Sequence, residues 1–413
     1  MVPNIQHWEQ KLFKSVLKLD RGSSPRPIVN FMTDAGDGVN WIKIGDTKKG
    51  ELYINSTKEK ITQEGAKKSR KVSKGEIIVS NSMSYGQPYI LNIDGYIHDG
   101  WFVIRNYEKH FDKNYLLQLL VSELIQRQYK RLAAGGVVSN ISSELVYAVK
   151  TITPPLPEQR KIAQILSTWD RGIATTEKLI DASKQQKKAL MQQLLTGKKR
   201  LVDPETGKAF EGEWEEVKLG DICDVKGGKR LPKGESLQTN SNKHPYIRVT
   251  DMFMGGVDCT NLLYVPENIA PSIAKYTINS NDLFITVAGT LGIIGKIPSI
   301  LDGANLTENA DKLTNIKCNQ IFLMYILMSP IIQQYIDSES TQNAQPKLAL
   351  ARIRSFSLLL PIALEQQKIT SVLTVADKEI KLLEAKLAHF KQEKKALMQQ
   401  LLTGKRRVQV EAD

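Results

Sequence analysis

The chain is poor in the residues from which disulfide frameworks and metal sites are built. Its three cysteines, Cys223, Cys259 and Cys318, are scattered and never spaced as C-x-x-C, which argues against both a disulfide framework and a zinc site. The histidines are equally dispersed, without the spacing of metal ligands: they are His7, His98, His110, His244 and His389. We therefore expect no metal site in this chain.

Long hydrophobic runs are also lacking. The apolar stretch Phe356–Leu364 is short and contains a proline, whereas a membrane span needs about 20 apolar residues. The N-terminal residues lack the apolar stretch and cleavage site of a signal peptide. We expect a cytoplasmic protein without membrane association, and 413 residues predict two or more domains.

Positive charge is abundant. The net charge is +13 and the isoelectric point is near 9.3. Such a balance indicates a polyanionic partner, and it favours nucleic acid over a membrane surface. On charge alone, a basic protein without such a partner stays open.

The chain repeats itself at a distance of 207 residues. Glu158–Arg200 aligns with Glu365–Arg407 without a gap, and 23 of the 43 positions are identical. The peptide KKALMQQLLTGK occurs in both copies. The preceding 150 or so residues of each copy are also paired, but loosely. Each repeat thus consists of a divergent part followed by a nearly constant part.

The constant part has the heptad pattern of a coiled-coil helix. Its a and d positions in the first copy are Ile162, Leu166, Trp169, Ile173, Thr176, Ile180, Ser183, Lys187, Leu190 and Leu194. Those of the second copy are Ile369, Leu373, Ala376, Ile380, Leu383, Leu387, Phe390, Lys394, Leu397 and Leu401, where only Lys394 is not apolar. We call these positions the seam.

Both helices have clear start and stop signals. Prolines precede each helix, and Gly197 and Gly404 are placed as C-terminal caps. A helix of about 38 residues would be about 57 Å long. Each helix has one apolar stripe, so its duplicate is the obvious partner. We expect an antiparallel pair with the divergent domains at opposite ends. The alternative is that each helix packs on its own domain.

The polar residues of the constant part are repeated as well as the seam. A seam needs only matching apolar volumes, so repeated lysines and glutamines suggest two equal faces for two copies of one partner. The residues predicted for partner docking are Lys188, Gln192, Lys395 and Gln399.

The divergent parts read as two α+β domains. Strands are predicted at 75–80, 100–106, 246–251 and 282–289 from their β-branched and aromatic content. Helices are predicted at 114–133 and at 320–338, the latter interrupted near Pro330.

Basic loops follow the entry tryptophans Trp8 and Trp214 in both copies. Lysine and arginine neutralise phosphates, and Ser, Asn, Gln and Arg can contact base edges. A single such loop is more often just a solvated surface. The residues predicted to contact DNA are Arg21, Arg26, Lys43, Ser82 and Tyr85 in the first copy, and Lys226, Lys229, Arg230, Lys233, Arg248, Thr290 and Lys347 in the second.

Catalytic motifs are missing, and no catalytic residue is predicted. There is no N-P-P-Y or D-P-P-Y tetrapeptide and no phosphate-binding G-x-x-x-x-G-K-[ST] loop. The spaced glycines of Thr286–Gly295 suit a turn after a strand. The E-x-K at Glu216–Lys218 has no counterpart at Gln10–Leu12, so we attribute it to chance.

Taken together, these features resemble the specificity (S) subunits of Type I restriction–modification systems. The resemblance covers essentially the whole chain and rests on the motifs at Trp214–Ile222 and Pro155–Ala163 and on the two KKALMQQLLTGK ends. It implies two pseudo-symmetric α/β target recognition domains separated by an antiparallel two-helix coiled-coil spacer. The expected segments are recognition domains at 1–152 and 213–360, spacer helices at 153–197 and 361–404, a linker at 198–212 and a basic tail at 405–413.

The resemblance also implies the function and the partners. Each recognition domain would bind one half of a bipartite, asymmetric site in double-stranded DNA, and the helices would set the gap between the halves. Two methyltransferase subunits would dock and carry S-adenosylmethionine, restriction subunits would supply ATP- and Mg-dependent cleavage, and this chain would hold no cofactor. A coiled-coil DNA-binding scaffold and a nuclease-like enzyme with an unrecognised active site are the alternatives.

Overall fold

The structure is a computed structural model that describes residues 8–48, 50–81, 86–133, 141–340 and 347–410. It divides into two compact units. Unit 1 combines Met1–Glu177 with Ala385–Asp413, and unit 2 is Lys178–Glu384. Each unit therefore holds one α+β domain together with parts of both long helices, as the duplication predicts.

The domain of unit 1 is built from short strands and helices. Its strands are β1 (Glu9–Leu12), β2 (Lys18–Arg21), β3 (Val39–Ile42), β4 (Tyr53–Ile54), β5 (Glu59–Ile61), β6 (Arg70–Val72), β7 (Ile77–Ser80), β8 (Pro88–Leu91), β9 (Gly95–Ile97), β10 (Trp101–Arg105) and β11 (Lys150–Thr153). Its helices are α1 (Phe13–Val16), α2 (Gln63–Lys67), α3 (Lys113–Val121), α4 (Glu123–Ala133) and α5 (Ser143–Tyr147), and the long helix α6 (Leu156–Leu194) follows.

Two larger sheets form this domain, ordered β2-β10-β7-β8-β4 and β5-β3-β9-β6, while β1 pairs with β11. The strand β10 runs antiparallel to both β2 and β7. Its successive residues face opposite sides, as the two-residue period of a strand requires. Phe102 and Ile104 pack in the cluster that contains α3, whereas Trp101 and Val103 pack in a cluster on the other face.

The domain of unit 2 has a related arrangement. Its strands are β12 (Glu215–Lys218), β13 (Asp224–Gly227), β14 (Pro245–Ile247), β15 (Met252–Phe253), β16 (Gly256–Val257), β17 (Leu263–Tyr264), β18 (Thr277–Ile278), β19 (Leu283–Thr286), β20 (Ile294–Lys296), β21 (Ala304–Leu306), β22 (Ala310–Thr314) and β23 (Ser357–Leu360). Its helices are α7 (Leu219–Ile222), α8 (Gln320–Leu327), α9 (Pro330–Ser340) and α10 (Leu350–Arg354), and the second long helix is α11 (Ala363–Leu401).

The sheets of this domain are ordered β13-β22-β19-β20 and β17-β14-β21-β18, with the smaller pairs β12-β23 and β15-β16. The strand β22 lies between β13 and β19, as β10 lies between β2 and β7 in unit 1. Short 3₁₀ helices link strands in both units: Ile28–Phe31, Ile44–Asp46, Val249–Asp251, Ala270–Tyr276 and Ser299–Leu301.

The helix predicted at 114–133 is in fact two helices. The chain breaks at Ser122, whose φ of −66° and ψ of 150° are extended, so that α3 ends there and α4 begins at Glu123. The Ser122 hydroxyl donates a hydrogen bond to the carbonyl of Leu119, which is the local competition with helical bonding that serine offers. In unit 2 the break near Pro330 is found as predicted.

Both long helices have 39 residues, and their limits follow from the predicted signals. Gly197 and Gly404, just beyond the ends, have φ of +68° and +72°, the left-handed conformation of a C-terminal glycine cap. Within each unit the two helices run antiparallel. In unit 1, Glu158 of α6 pairs with Arg407, which follows α11, while Asp170 pairs with Lys394.

No helix within the described ranges is long and apolar enough to cross a lipid bilayer.

Candidate nucleic-acid interface

One turn of the first domain, His98–Gly100 before β10, is held against the segment that follows β2. The Gly22 amide donates to the Trp101 carbonyl at 2.8 Å, and the Ser23 amide donates to the Ile97 carbonyl at 3.2 Å. A Cβ on Gly22 would lie 1.9 Å from the His98 carbonyl oxygen. Glycine is therefore required at this position, because the two backbone segments touch.

Three of the cations predicted to contact DNA surround this turn. Arg21 Nε donates to the Asp99 carbonyl at 3.3 Å. Arg26 Nη2 lies 3.8 Å from Asp99 Oδ2, and its side chain is 85% exposed. Lys43 donates to Glu59 on the neighbouring strand β5. Arg26 thus presents a more accessible charge than Lys43, whose side chain is 38% exposed.

A cleft of about 480 Å³ opens beside the same turn. Trp41 and His98 line it together with Ile28 and Val29, and Val29 is 72% exposed. Burial lowers the pKa of His98, although the neighbouring Asp99 acts in the opposite direction, and the lowered pKa favours the neutral imidazole. The exposed apolar pair Ile28 and Val29 was not foreseen, because nothing in its local sequence distinguishes it from core residues.

The second domain has the same close contact at the turn Thr307–Asn309 before β22. The Gly228 amide donates to the Ala310 carbonyl at 3.1 Å, and the Lys229 amide donates to the Leu306 carbonyl at 2.8 Å. A Cβ on Gly228 would lie 2.1 Å from the Thr307 carbonyl oxygen. Both copies therefore use a glycine to place their basic loop against the equivalent turn.

The predicted cations near this second turn differ in how they are engaged. Arg248 Nε and Nη2 donate to Asp251 at 2.9 and 2.6 Å, and Nη2 also donates to the Asn261 carbonyl. The Lys229 Nζ lies 5.8 Å from the centre of the Tyr276 ring. Arg230 and Lys233 are exposed in the loop after β13.

The other predicted contact residues of this domain lie elsewhere on its surface. Lys226 is on β13, with its Nζ 3.1 Å from Asp224. Thr290 is exposed in the turn between β19 and β20, and a β-bridge joins Lys347 to Ala288, two residues before Thr290. Ser82 and Tyr85 of the first copy lie outside the described residues.

Asp311 on β22 is a buried acid that the sequence pattern did not indicate. It is 4% exposed, and its Oδ2 has no hydrogen-bond partner among the described residues. Burial raises the pKa of Asp311 to about 6, against the opposing influence of Lys347 and Arg354. No group of three or more His, Cys, Asp or Glu side chains within the described ranges could hold a metal ion.

The seam positions of both helices are all buried or half-buried. Ile162, Leu166, Leu194, Ile369, Leu373, Ile380 and Leu401 are buried, and Trp169, Ile173, Leu190, Leu383, Leu387 and Leu397 are half-buried. Trp169 and Phe390 meet edge to face with ring centres 5.6 Å apart. Lys187 and Lys394, the charged seam positions, are 15% and 16% exposed and form ion pairs.

The four residues predicted to dock a partner, Lys188, Gln192, Lys395 and Gln399, are exposed. Their surroundings differ between the units. Gln399 donates to Glu123 of α4, and Lys395 lines the same cleft of about 400 Å³. The position equivalent to Glu123 in the second copy is Pro330, whose side chain cannot accept a hydrogen bond. The two faces are thus similar but not identical.

Comparison with known proteins agrees with this architecture. The chain matches the family described as Type I restriction modification DNA specificity domain over residues 6–184 and 211–392. It is 26% identical to a putative Type I restriction enzyme MjaX specificity subunit of Methanocaldococcus jannaschii, covering 98% of this chain and 94% of that protein. It is 22% identical to the EcoKI specificity subunit of Escherichia coli K12, covering 73% and 68%.

Two solved structures share the fold. One, from a study of complex assembly and conformational transition of the Type I restriction–modification system, has a TM-score of 0.63 at 18% identity and covers 97% of this chain and 98% of that one. The other is the S subunit from M. genitalium, with a TM-score of 0.57 at 18% identity and 97% of each chain covered. With two matched segments that span both repeats, the chain belongs to the family of Type I restriction–modification specificity subunits, the non-catalytic component of those enzymes.

Proposed function

We propose that this chain recognises a bipartite, asymmetric site in double-stranded DNA on behalf of catalytic partner subunits. Each recognition domain contacts one half-site, and the paired long helices set the gap between the halves. Two methyltransferase subunits dock on the helices and carry S-adenosylmethionine, and restriction subunits contribute ATP- and Mg-dependent cleavage in the full complex. The assembly acts in the cytoplasm.

One observation carries the proposal beyond family membership. In both domains a glycine with no room for a side chain, Gly22 or Gly228, holds a basic segment against the turn before the central strand. Predicted DNA-contacting cations gather there in both copies, although most of the surrounding residues differ. Equivalent placement of unlike residues is what two half-site readers need, because backbone positioning on DNA is shared and base contacts are specific.

The spacer part of the proposal is tested by lengthening both helices equally. A heptad is inserted between Glu177 and Lys184 and another between Glu384 and Lys391, which leaves every interhelical ion pair on its original side of the insertion. Seven residues add about 10 Å of helix, which corresponds to about three base pairs at 3.4 Å each. We expect the gap between methylated half-sites to grow while the bases of both half-sites stay the same.

The measurement is the pattern of adenine methylation in a genome that expresses the variant with its methyltransferase partners. A matched control carries a heptad in one helix only, which breaks the pairing and should abolish methylation. Altered half-site bases with an unaltered gap would show that the helices are not a spacer.

The recognition part is tested separately by exchanging residues Met1–Leu145 for the first domain of another specificity subunit. One half-site should change, while the other half-site and the gap remain. The isolated chain should methylate no DNA when S-adenosylmethionine is supplied, and methylation by the chain alone would favour the alternative of an enzyme.

A further inference from the structure

Each long helix carries one aspartate whose two carboxylate oxygens hold two different elements. Asp170 Oδ1 accepts from Lys394 Nζ of the other long helix at 2.6 Å, and its Oδ2 accepts from Gln118 Nε2 of α3 at 2.7 Å. In unit 2, Asp377 Oδ1 accepts from Lys187 Nζ at 2.6 Å and Oδ2 accepts from the Tyr325 hydroxyl of α8 at 2.6 Å. In each unit one carboxylate therefore joins both spacer helices to the recognition domain.

The internal repeat separates the constant half of this junction from its variable half. Asp170 and Lys187 are the same residues as Asp377 and Lys394, at a spacing of 207. The domain-side donors occupy equivalent positions in α3 and α8, also 207 apart, but they are Gln118 and Tyr325. The residue type changed with the domain, and the hydrogen bond to the aspartate was kept.

Stability alone does not account for the lysines. Lys187 and Lys394 are 15% and 16% exposed at seam positions where an apolar residue would pack. Burying an ammonium group carries a desolvation cost that an ion pair only offsets, and the best-attested use of such a residue is to specify register. A residue that adds little stability and selects one alignment is suited to positioning.

A second repeated contact fixes the other end of the domain helix. Gln159 Oε1 accepts from the backbone amide of Asp112, the cap of α3, at 2.8 Å, and Gln366 Oε1 accepts from the amide of Asn319, the cap of α8, at 2.9 Å. Two points of attachment fix the position of a rod along another rod as well as its angle. The glutamine and the aspartate thus attach each domain helix to the spacer at two points, one at the helix cap and one farther along the helix.

We propose that Asp170 and Asp377 are positioning residues that fix each recognition domain at one place and angle on the spacer helices. If the chain has the proposed function, these two residues thereby determine the gap at which the two half-sites are read. The test uses the full chain and removes only the domain-side bond. Tyr325→Phe keeps the ring and the Lys187–Asp377 pair. The matched control is Tyr335→Phe, which also removes a tyrosine hydroxyl from this domain but at a position away from the spacer.

The first readout needs no DNA. Spin labels on cysteines at the exposed positions Gln334 and Lys378, with Cys259 and Cys318 replaced by serine, report the distance between the domain and its spacer helix within unit 2. We expect Tyr325→Phe and Asp377→Asn to broaden that distance distribution, and Tyr335→Phe to leave it unchanged. An unchanged distribution in both of the first two variants would overturn the proposal.

The second readout is genomic methylation with the methyltransferase partners present. Tyr325→Phe should raise methylation at sites whose gap differs by one base pair, by about ten-fold, a change equivalent to about 1.4 kcal/mol, with unchanged half-site bases. A broadened distribution of spin-label distances together with an unchanged gap between methylated half-sites would show that Asp377 holds the domain on the spacer helix. It would contradict the inference that this contact determines the gap. Should Tyr325→Phe fail to fold, Gln118→Met tests the same bond at Asp170 in unit 1.

Discussion

The long helices and the recognition domains have diverged to very different extents, and their contacts explain why. Each interhelical ion pair is made twice with exchanged roles: Lys184 with Glu384 in unit 2 and Lys391 with Glu177 in unit 1, for example. A change in one copy of the helix therefore leaves a mismatch unless the other copy changes as well. Contacts inside a recognition domain are made once, so each domain could change its residues independently.

The domains keep glycine at the two positions where geometry leaves no alternative. Gly22 and Gly228 are such positions, because a backbone carbonyl occupies the space of a side chain in both. Many other positions that are equivalent by strand pairing hold unlike residues, such as Trp41 and Tyr246 or Phe102 and Asp311. The comparison shows that pairing between copies and steric exclusion preserve residues more strictly than ordinary packing, which keeps leucine at Leu116 and Leu323 but not the residue type at Phe102 and Asp311.

The largest effect is expected where a buried carboxylate loses its arginine. Arg200 binds Glu365 through Nε and Nη2 at 2.7 and 2.8 Å, and Glu365 is 0% exposed. Arg200→Ala should lower the free energy of unfolding by about 3–4 kcal/mol, because an unpaired buried charge remains. Arg407→Ala should cost a similar amount at Glu158. Urea unfolding measures both, with the exposed Lys391→Ala as a control that changes stability by about 0.5 kcal/mol or less.

The next largest loss of stability is expected from substitution of the two glycines at the turns. Gly22→Ala and Gly228→Ala force a methyl group against a carbonyl oxygen, and overpacking of this kind costs about 2–3 kcal/mol. Gly36→Ala, which meets nothing within 4 Å, is the control. Thermal unfolding compares the three variants, and equal melting temperatures would show that the turns adapt without strain.

A pH-dependent effect should distinguish the domains, because Asp311 has no acidic counterpart at Phe102. The pKa of Asp311 is raised to about 6 in the folded chain. The folded chain therefore binds the proton of Asp311 more tightly than the unfolded chain does. Binding of that proton stabilises the folded chain fully below the pKa that the carboxyl has in the unfolded chain, near 4. This stabilisation is lost as the pH rises through about 6. Asp311→Asn should therefore gain stability relative to the parent between pH 5 and 7.5, by about 1.4 kcal/mol, because one pH unit separates pH 5 from the pKa of the folded chain. A constant difference across this range would contradict the raised pKa.

The smallest effect concerns one exposed cation, and it depends on the proposed function. Arg26→Ala removes a largely exposed charge beside the first turn. The DNA affinity of this variant should fall a few-fold, and the slope of log affinity against log salt concentration should become shallower by about 0.9. Fluorescence anisotropy in a salt series measures the slope, and Lys14→Ala, an exposed cation of α1, should leave it unchanged.

Much of the architecture could be predicted from local signals. The glycine caps at Gly197 and Gly404, the break at Pro330 and the heptad spacing of the seam all depend on residues within a turn or two of one another. The break at Ser122 was missed because serine is compatible with a helix, and the contacts of its hydroxyl with Leu119 and Ile125 are seen only in the structure. The buried Asp311 was missed because no local pattern marks a carboxylate that later packing will enclose.

The sequence by itself determined the duplication, the limits of the two long helices and the α+β class of each domain, because helix periodicity and capping act over a few residues. Only the tertiary structure decided what the charged residues do. Lys394, an apparent flaw in the seam, binds Asp170, which is 224 residues away, whereas Arg26 stays largely exposed. The partner of a charge is chosen by folding, since contacts between distant segments exist only once the backbone has brought them together.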